Sequence, residues 1–338
     1  MRASNKMFNT VALAMLYLVG ALAAPVVVAE SLVVYSGRSD KFVKPVMEAF
    51  TEKTGIEVVI HSGKSTELLN KLRVEGKRTE ADLFLSNDAG NLQVGSELGL
   101  FMPINDKAVR EIPANYRGED NKWIGLSARA RVLVVNSNAD LDWVKGVFDL
   151  ADPRLDGRLA ITHSANESYI AGVTVYLEAA GDKAVKAWLK GMKSNVNSQV
   201  FDKHSKIVKA VASGEKDIGL VNHYYIYRYL DNEPDAPIEI VFPDQRDGMG
   251  VAWNVAGVAV SKYTDNKGAA VQLVRFLASP EGQRVFAEVN REYPTLPGVA
   301  AASEVPAAGS YKVADVPMGR LGSERNRTLD VIEAVGMP

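Results

Sequence analysis

Residues 31–75, SLVVYSGRSDKFVKPVMEAFTEKTGIEVVIHSGKSTELLNKLRVE, decide the fold. Leu32-Val33-Val34-Tyr35 is a run of strand-favouring residues, and Ser36-Gly37-Arg38-Ser39-Asp40 is a turn opening a helix from about Lys41 to Lys53. Gly55 stops that helix. Ile56 to Ile60 alternates as a second strand, Ser62 to Ser65 forms a loop, and Thr66 to Glu75 reads as a helix. Strand, helix, strand, helix at this spacing predicts a mostly parallel sheet in an α/β domain. Ligands of such sheets bind beyond the carboxyl ends of the strands, so the loops 36–40, 62–66 and Ser86 to Gly90 are expected to converge on one site. Gly63-Lys64-Ser65 resembles the tail of a phosphate loop, but positions 58–61 are Val-Val-Ile-His and supply no upstream glycine, which sets nucleoside triphosphates aside.

The chain has 338 residues, no cysteine, 47% hydrophobic residues and a formal charge of −2, enough for two globular domains. Its first residues differ from the rest. Arg2 and Lys6 give a weakly basic start, Val11 to Ala24 are nearly all apolar, and Val27-Val28-Ala29 offers a small-residue cleavage site. Residues 1–29 therefore read as a secretory signal peptide cut after Ala29, with Ala23 as the second choice. The apolar run, about 14 residues broken by Gly20 and Pro25, falls short of the roughly 20 that span a bilayer. Cleavage removes two bases and no acid, moving the charge to about −4, which argues against nucleic acid as a partner. Cysteine absence excludes a disulfide scaffold, thiolate metal sites and thiol catalysis. The mature chain shows no transmembrane pattern.

From Asn136 the chain changes character and reads as a second α/β domain, entered through Arg131 to Asn136. Trp123 to Arg131 leads into a strand expected at Val132 to Val135. Arg129 and Arg131, two apart on an extended chain, lie on one side and suit the clamping of a carboxylate, carbonate or phosphate; salt bridges are the plainer reading. Helices are expected from Tyr169 to near Gly181, from Asp182 to Met192 and from Ser205 to Ser213. Val251 to Val260 is long and extended enough to return to the first unit. The expected division is 30–130 with about 256–300 in one lobe, and 131–255 with about 301–338 in the other, with a hinged cleft between them.

The segment 219–229, GLVNHYYIYRY, packs four of the twelve tyrosines after a short strand-like run. A highly charged cation can ionise tyrosine well below its usual pKa of about 10, so adjacent phenolates at Tyr224 and Tyr225 would suit Fe(III). An aromatic wall for an organic ligand and plain packing remain open on composition alone.

Taken together, VVYSGRSDKFVKPVMEAFTEKTGIEV, ADLFLSNDAGNL, GLSARARVLVVN, KAWLKGMKSN, IGLVNHYYIYRY and LVRFLASPEGQRVFAEVNREYP resemble the periplasmic ferric-ion-binding proteins of bacterial iron ABC transporters, the transferrin-like branch of type II solute-binding proteins. The double tyrosine of LVNHYY combined with SARARV is the most specific part. The resemblance implies Fe(III) as cargo, Tyr224 and Tyr225 as adjacent ligands and Tyr169 as a third. It implies a synergistic anion, carbonate or bicarbonate, on Arg129 and less directly Arg131, with Ser164, Asn166 and Asn222 nearby. It also implies export to the periplasm, a monomer, and delivery to an inner-membrane ABC permease, with no catalysis.

Two loops depart from the family pattern. Ser39 and Asp40 stand where other members have histidine or a His-Tyr pair, so Asp40 either reaches the metal or caps the following helix. Asn87 and Asp88 stand where one branch has a glutamate ligand, leaving both as additional metal or supporting positions. His223, read as extended chain, points away from Tyr224. His61, His163 and His204 lack ligand spacing and are expected on the surface or in loops, His163 near the anion. The competing readings are a binder of the same fold for an organic or phosphorylated solute, a ligand-reporting partner of a membrane receptor, and a secreted hydrolase, for which no Ser/His/Asp or paired-carboxylate arrangement stands out.

Overall fold

A computed structural model describes residues 31–338, so the expected signal peptide lies outside the described residues. The opening segment folds as β1 (Ser31–Ser36), α1 (Asp40–Thr54), β2 (Glu57–Ser62) and α2 (Ser65–Glu75). Helix α1 buries Val43, Val46, Met47 and Phe50, the i, i+3, i+4, i+7 stripe that fastens a helix to a sheet, and Gly55 ends it in left-handed geometry at φ 75°. Gly37 is needed for close approach: a Cβ there would lie 2.0 Å from Ser65 Oγ, so any side chain would push the turn after β1 away from α2.

Next come β3 (Leu83–Ser86), α3 (Ala89–Glu97), the short α4 (Lys107–Arg110) and the long β4 (Ile124–Asn136). The second half contributes β5 (Leu159–Ala160), α5 (Glu167–Val196), α6 (His204–Ala212), β6 (Ile218–Asn222), α7 (Tyr224–Leu230) and β7 (Ile238–Val241). The chain then returns through β8 (Trp253–Val260), α8 (Lys267–Ala278), α9 (Pro280–Asn290) and β9 (Tyr293–Pro294), and finishes with α10 (Arg320–Ser323) and α11 (Arg325–Val335). Gly181, at φ 80°, breaks α5 where the sequence placed a helix end.

The sheet runs β2-β1-β3-β8-β4-β6-β5, with β7 and β9 also on β4. The pairs β1–β2, β1–β3 and β5–β6 are parallel, as the opening segment predicts. Strand β4 is longer than expected because it serves both halves. Residues 124–130 pair with β8 and residues 131–135 pair with β6. Arg129, opposite Asn254, and Arg131, opposite Asn222, therefore flank the point where the strand changes partners. One apolar cluster lies beneath α1, α8 and α9, and a larger one runs from beneath α2 and α3 in the first half through the second half. No helix among the described residues is long and apolar enough to cross a membrane.

Candidate functional site

The tyrosine segment is not extended. Strand β6 ends at Asn222, and His223, at φ −52° and ψ −43°, already has helical geometry before α7 begins at Tyr224. This corrects the expectation drawn from an extended chain. In a strand, neighbouring side chains point to opposite faces, whereas in a helix they diverge by about 100°, so both phenols can open on the same space. Their ring centroids are 4.4 Å apart, with planes 33° from parallel.

Both tyrosines line a cleft of about 610 Å³ whose walls come from opposite halves of the chain. Arg38, Phe42 and Asn87 stand on one side and Asn166, Tyr224 and Tyr225 on the other, with Arg129 where β4 changes partners. Tyr225 stacks near His204 at 5.1 Å, and Tyr224 meets the edge of Phe42 at 6.2 Å. The charge Tyr224 would carry, followed by burial, pushes the Tyr225 phenol well above its ordinary value. Burial does the same to Tyr169 against an opposing pull from Arg131. Neither group is prepared to ionise at neutral pH without a strong cation.

Arg129 lines the cleft, and its buried Nη1 has no hydrogen-bond partner among the described residues. Arg131 lies one layer deeper. Its Nη1 donates to Asn222 Oδ1 at 3.3 Å and to a ring nitrogen of His204 at 3.2 Å. Burial pulls this guanidinium down to about 10, partly opposed by the phenols of Tyr176, Tyr169 and Tyr224. Tyr169 is also set back, 1% exposed and outside the cleft lining, its hydroxyl without a partner among the described residues. The two arginines are thus brought to one region at different depths.

The remaining sequence-picked residues divide in the same way. Asn222 donates to Ser168 Oγ at 3.3 Å and towards Tyr224 Oη at 3.5 Å. Asn166 caps α5, accepting from Ser168 N at 3.0 Å and Tyr169 N at 3.3 Å, which fixes the helix turn that carries Tyr169. Asn87 faces the cleft and accepts from Ser65 Oγ at 2.9 Å. Asp88 faces inward and caps α3 through Asn91 N at 3.0 Å. Asp40 is exposed, accepts from Ser62 Oγ and makes no cap of α1, whose N-cap position is Ser39. Ser164 binds the chain end instead of the cleft, its N–H on the Pro338 carbonyl and its Oγ on that of Met337.

Two features escape the sequence reading. His204, expected at the surface, is 4% exposed. Burial, then the charges of Arg131 and Arg129, keep it neutral. Its place on the apolar face of α6 was the available signal. The second feature is a buried ion pair in the cleft wall. Arg38 Nη2 bridges both carboxylate oxygens of Glu292 at 2.9 Å, while Ser127 Oγ donates to Glu292 at 2.6 Å. The partners are 254 residues apart, and no local pattern joins them. Among the described residues no group of three His, Asp or Glu side chains is arranged to hold a metal.

The profile of the family described as bacterial extracellular solute-binding protein matches residues 46–313, most of the chain. The chain belongs to that family. Among these solute-binding proteins it groups with ferric-ion-binding members. Iron uptake protein A1 of Synechocystis sp. is 33% identical over 296 residues, 85% of this chain and 82% of that protein. The Trichodesmium protein IdiA (FutA), solved with iron and citrate ligands, superposes with a TM-score of 0.82 at 32% identity, over 91% of this chain and 100% of that one. The ferric binding protein from Campylobacter jejuni superposes with a TM-score of 0.86 at 29% identity and the same coverage. The architecture is accordingly the two-lobed α/β fold of type II solute-binding proteins, a family of transport components rather than enzymes.

Proposed function

We propose that this solute-binding protein captures ferric iron in the periplasm and delivers it to an inner-membrane ABC permease after its signal peptide is removed. The observation that carries the reading is the adjacent pair Tyr224 and Tyr225, placed by the first turn of α7 on the cleft wall. Ionised phenols are hard oxygen donors, and hard, highly charged Fe(III) is the cation best able to displace their protons. Tyr169 is proposed as a third donor, its hydroxyl turning towards the ion from its buried position behind the cleft wall.

Arg129 would hold the synergistic anion, its free Nη1 supplying a charge-assisted donor. Carbonate or bicarbonate fits beside one guanidinium. Because the Trichodesmium relative was solved with citrate, a polycarboxylate is the second anion to examine. Asp40, Asn87 and Asp88 keep supporting roles: Asp40 holds the β2 edge, Asn87 the start of α2, and Asp88 the start of α3.

The test is direct. Protein loaded with ferric iron should show a visible phenolate-to-iron charge-transfer band, and Tyr224→Phe/Tyr225→Phe should lose both colour and tight binding. An uncoloured ferric complex, or a double variant that binds iron as the parent does, would sink this assignment. Titration against organic and phosphorylated solutes separates it from the other cargo class.

A further inference from the structure

Helix α2 begins without a cap of its own. Its N-cap residue is Lys64, which has no acceptor to offer the first amides, and no side-chain cap bond is made there. The acceptor arrives from the opposite wall of the cleft. Glu167, the first residue of α5, accepts through Oε1 from Thr66 N at 3.2 Å, Thr66 Oγ1 at 3.0 Å and Asn91 Nδ2 at 3.3 Å. Thr66 Oγ1 also lies 3.1 Å from Asn91 Oδ1, an alternative acceptor for its single proton, so the α2 and α3 ends meet at one place. Glu167 and Thr66 are 101 residues apart, and both line the cleft that holds Tyr224 and Tyr225.

We infer that Glu167 is the closure latch of this protein, a positioning residue that holds the two lobes shut by capping α2 across the cleft. An uncapped amide end carries partial positive charge, and a carboxylate is the side chain that best satisfies it. Opening the lobes breaks all three bonds together and returns these groups to water. The latch also sits one short step from the proposed cargo site. Glu167 and Tyr169 share the first turn of α5, so seating the carboxylate on α2 fixes the turn that carries the third tyrosine. Arg325, Lys64 and Glu67 line the same cleft. Retention of cargo then depends on a contact that touches no cargo.

The experiment uses the cysteine-free chain with Lys77→Cys and Lys190→Cys, exposed positions on opposite lobes, carrying spin labels for distance measurement with and without ferric iron. Glu167→Ala should shift the distance distribution to longer values and speed ferric release to a chelator about tenfold, the size of one lost charge-assisted cap. Glu167→Gln, whose amide oxygen still accepts from Thr66 but carries no charge, should fall between the parent and Glu167→Ala in both readings. The same distances in the parent and Glu167→Ala, metal-free and loaded, overturn the latch, as does a Gln variant as open as the Ala one. The distances are read without reference to colour or affinity, so failure of the latch and failure of the ferric assignment are separate results.

Discussion

The imidazole of His223 donates its Nε2–H to the carbonyl of Arg291 at 2.7 Å. Its Nδ1 accepts the N–H of Ala130 at 3.1 Å, so both ring nitrogens are occupied, one tautomer is fixed, and burial pulls the ring down to about 4. A histidine used up on both sides has no lone pair for a metal, although it precedes two tyrosines. It is instead a strut joining β4, the α7 start and the end of α9.

His223→Ala should therefore leave a buried N–H and a buried carbonyl unpaired and lower stability by about 2–4 kcal/mol. Ferric loading of the folded variant should keep the charge-transfer band of the parent. Urea unfolding alongside the visible spectrum checks both halves, and a band displaced in the variant would make His223 a ligand after all.

Most of the architecture was legible because it follows local rules. The opening strand-helix-strand-helix, the break at Gly181 and the return strand β8 each rest on periodicity or a glycine that a short window displays. The helical start at His223 was not legible, because a run of tyrosines favours a strand by propensity; packing against α6 accompanies the helix instead. The depth of Arg131 and Tyr169 was hidden for another reason. Spacing says which side of a strand or helix a residue occupies, and only the layers stacked on it say how far that residue lies from solvent.

The pair Arg38 and Glu292 illustrates a contact no sequence window contains, and its burial sets the size of its effect. The two side chains are 5% and 1% exposed. Removing one partner of such a pair strands the other charge, so Glu292→Ala should cost about 3–5 kcal/mol. Replacing both with Arg38→Met and Glu292→Leu should recover most of that loss, leaving Ser127 as the group still short of a partner. Denaturant midpoints of Glu292→Ala and the double variant test it; a double variant no better than Glu292→Ala contradicts the stranded-charge account.

Asp244 gives a pH dependence whose sign runs against the usual carboxylate. Burial first, then the like charge of Asp149, raise it to about 6, while a hydrogen bond from Val147 N at 3.0 Å opposes the rise. With the folded value above the unfolded one of about 3.9, its contribution to stability is present in full below that unfolded value and is lost as pH rises through 6. Asp244→Asn keeps an acceptor for Val147 and suits the positive φ of 58°. Because the side chain is partly exposed, the variant should gain only about 1 kcal/mol at pH 8, with the gap closing by pH 4. Thermal unfolding across that range decides it, and a constant gap would exclude titration of Asp244 as the cause.

The phenols make the opposite demand on cargo binding. Tyr225 and Tyr169 are held protonated at neutral pH, the first mainly by its neighbour Tyr224 and the second by burial, so iron must displace those protons as it enters. Ferric affinity should rise with pH by about two to three decades per unit near neutrality, one for each phenol proton released. Arg129→Ala should weaken ferric binding at least about tenfold and abolish any response to added bicarbonate or citrate while leaving that slope in place, because the arginine holds the anion and not the tyrosines. Proton release on ferric loading in weakly buffered solution, set beside affinity at several pH values, measures the slope. Fewer than one proton per iron would mean that neutral oxygen donors hold the cargo and that the tyrosine pair is only its wall.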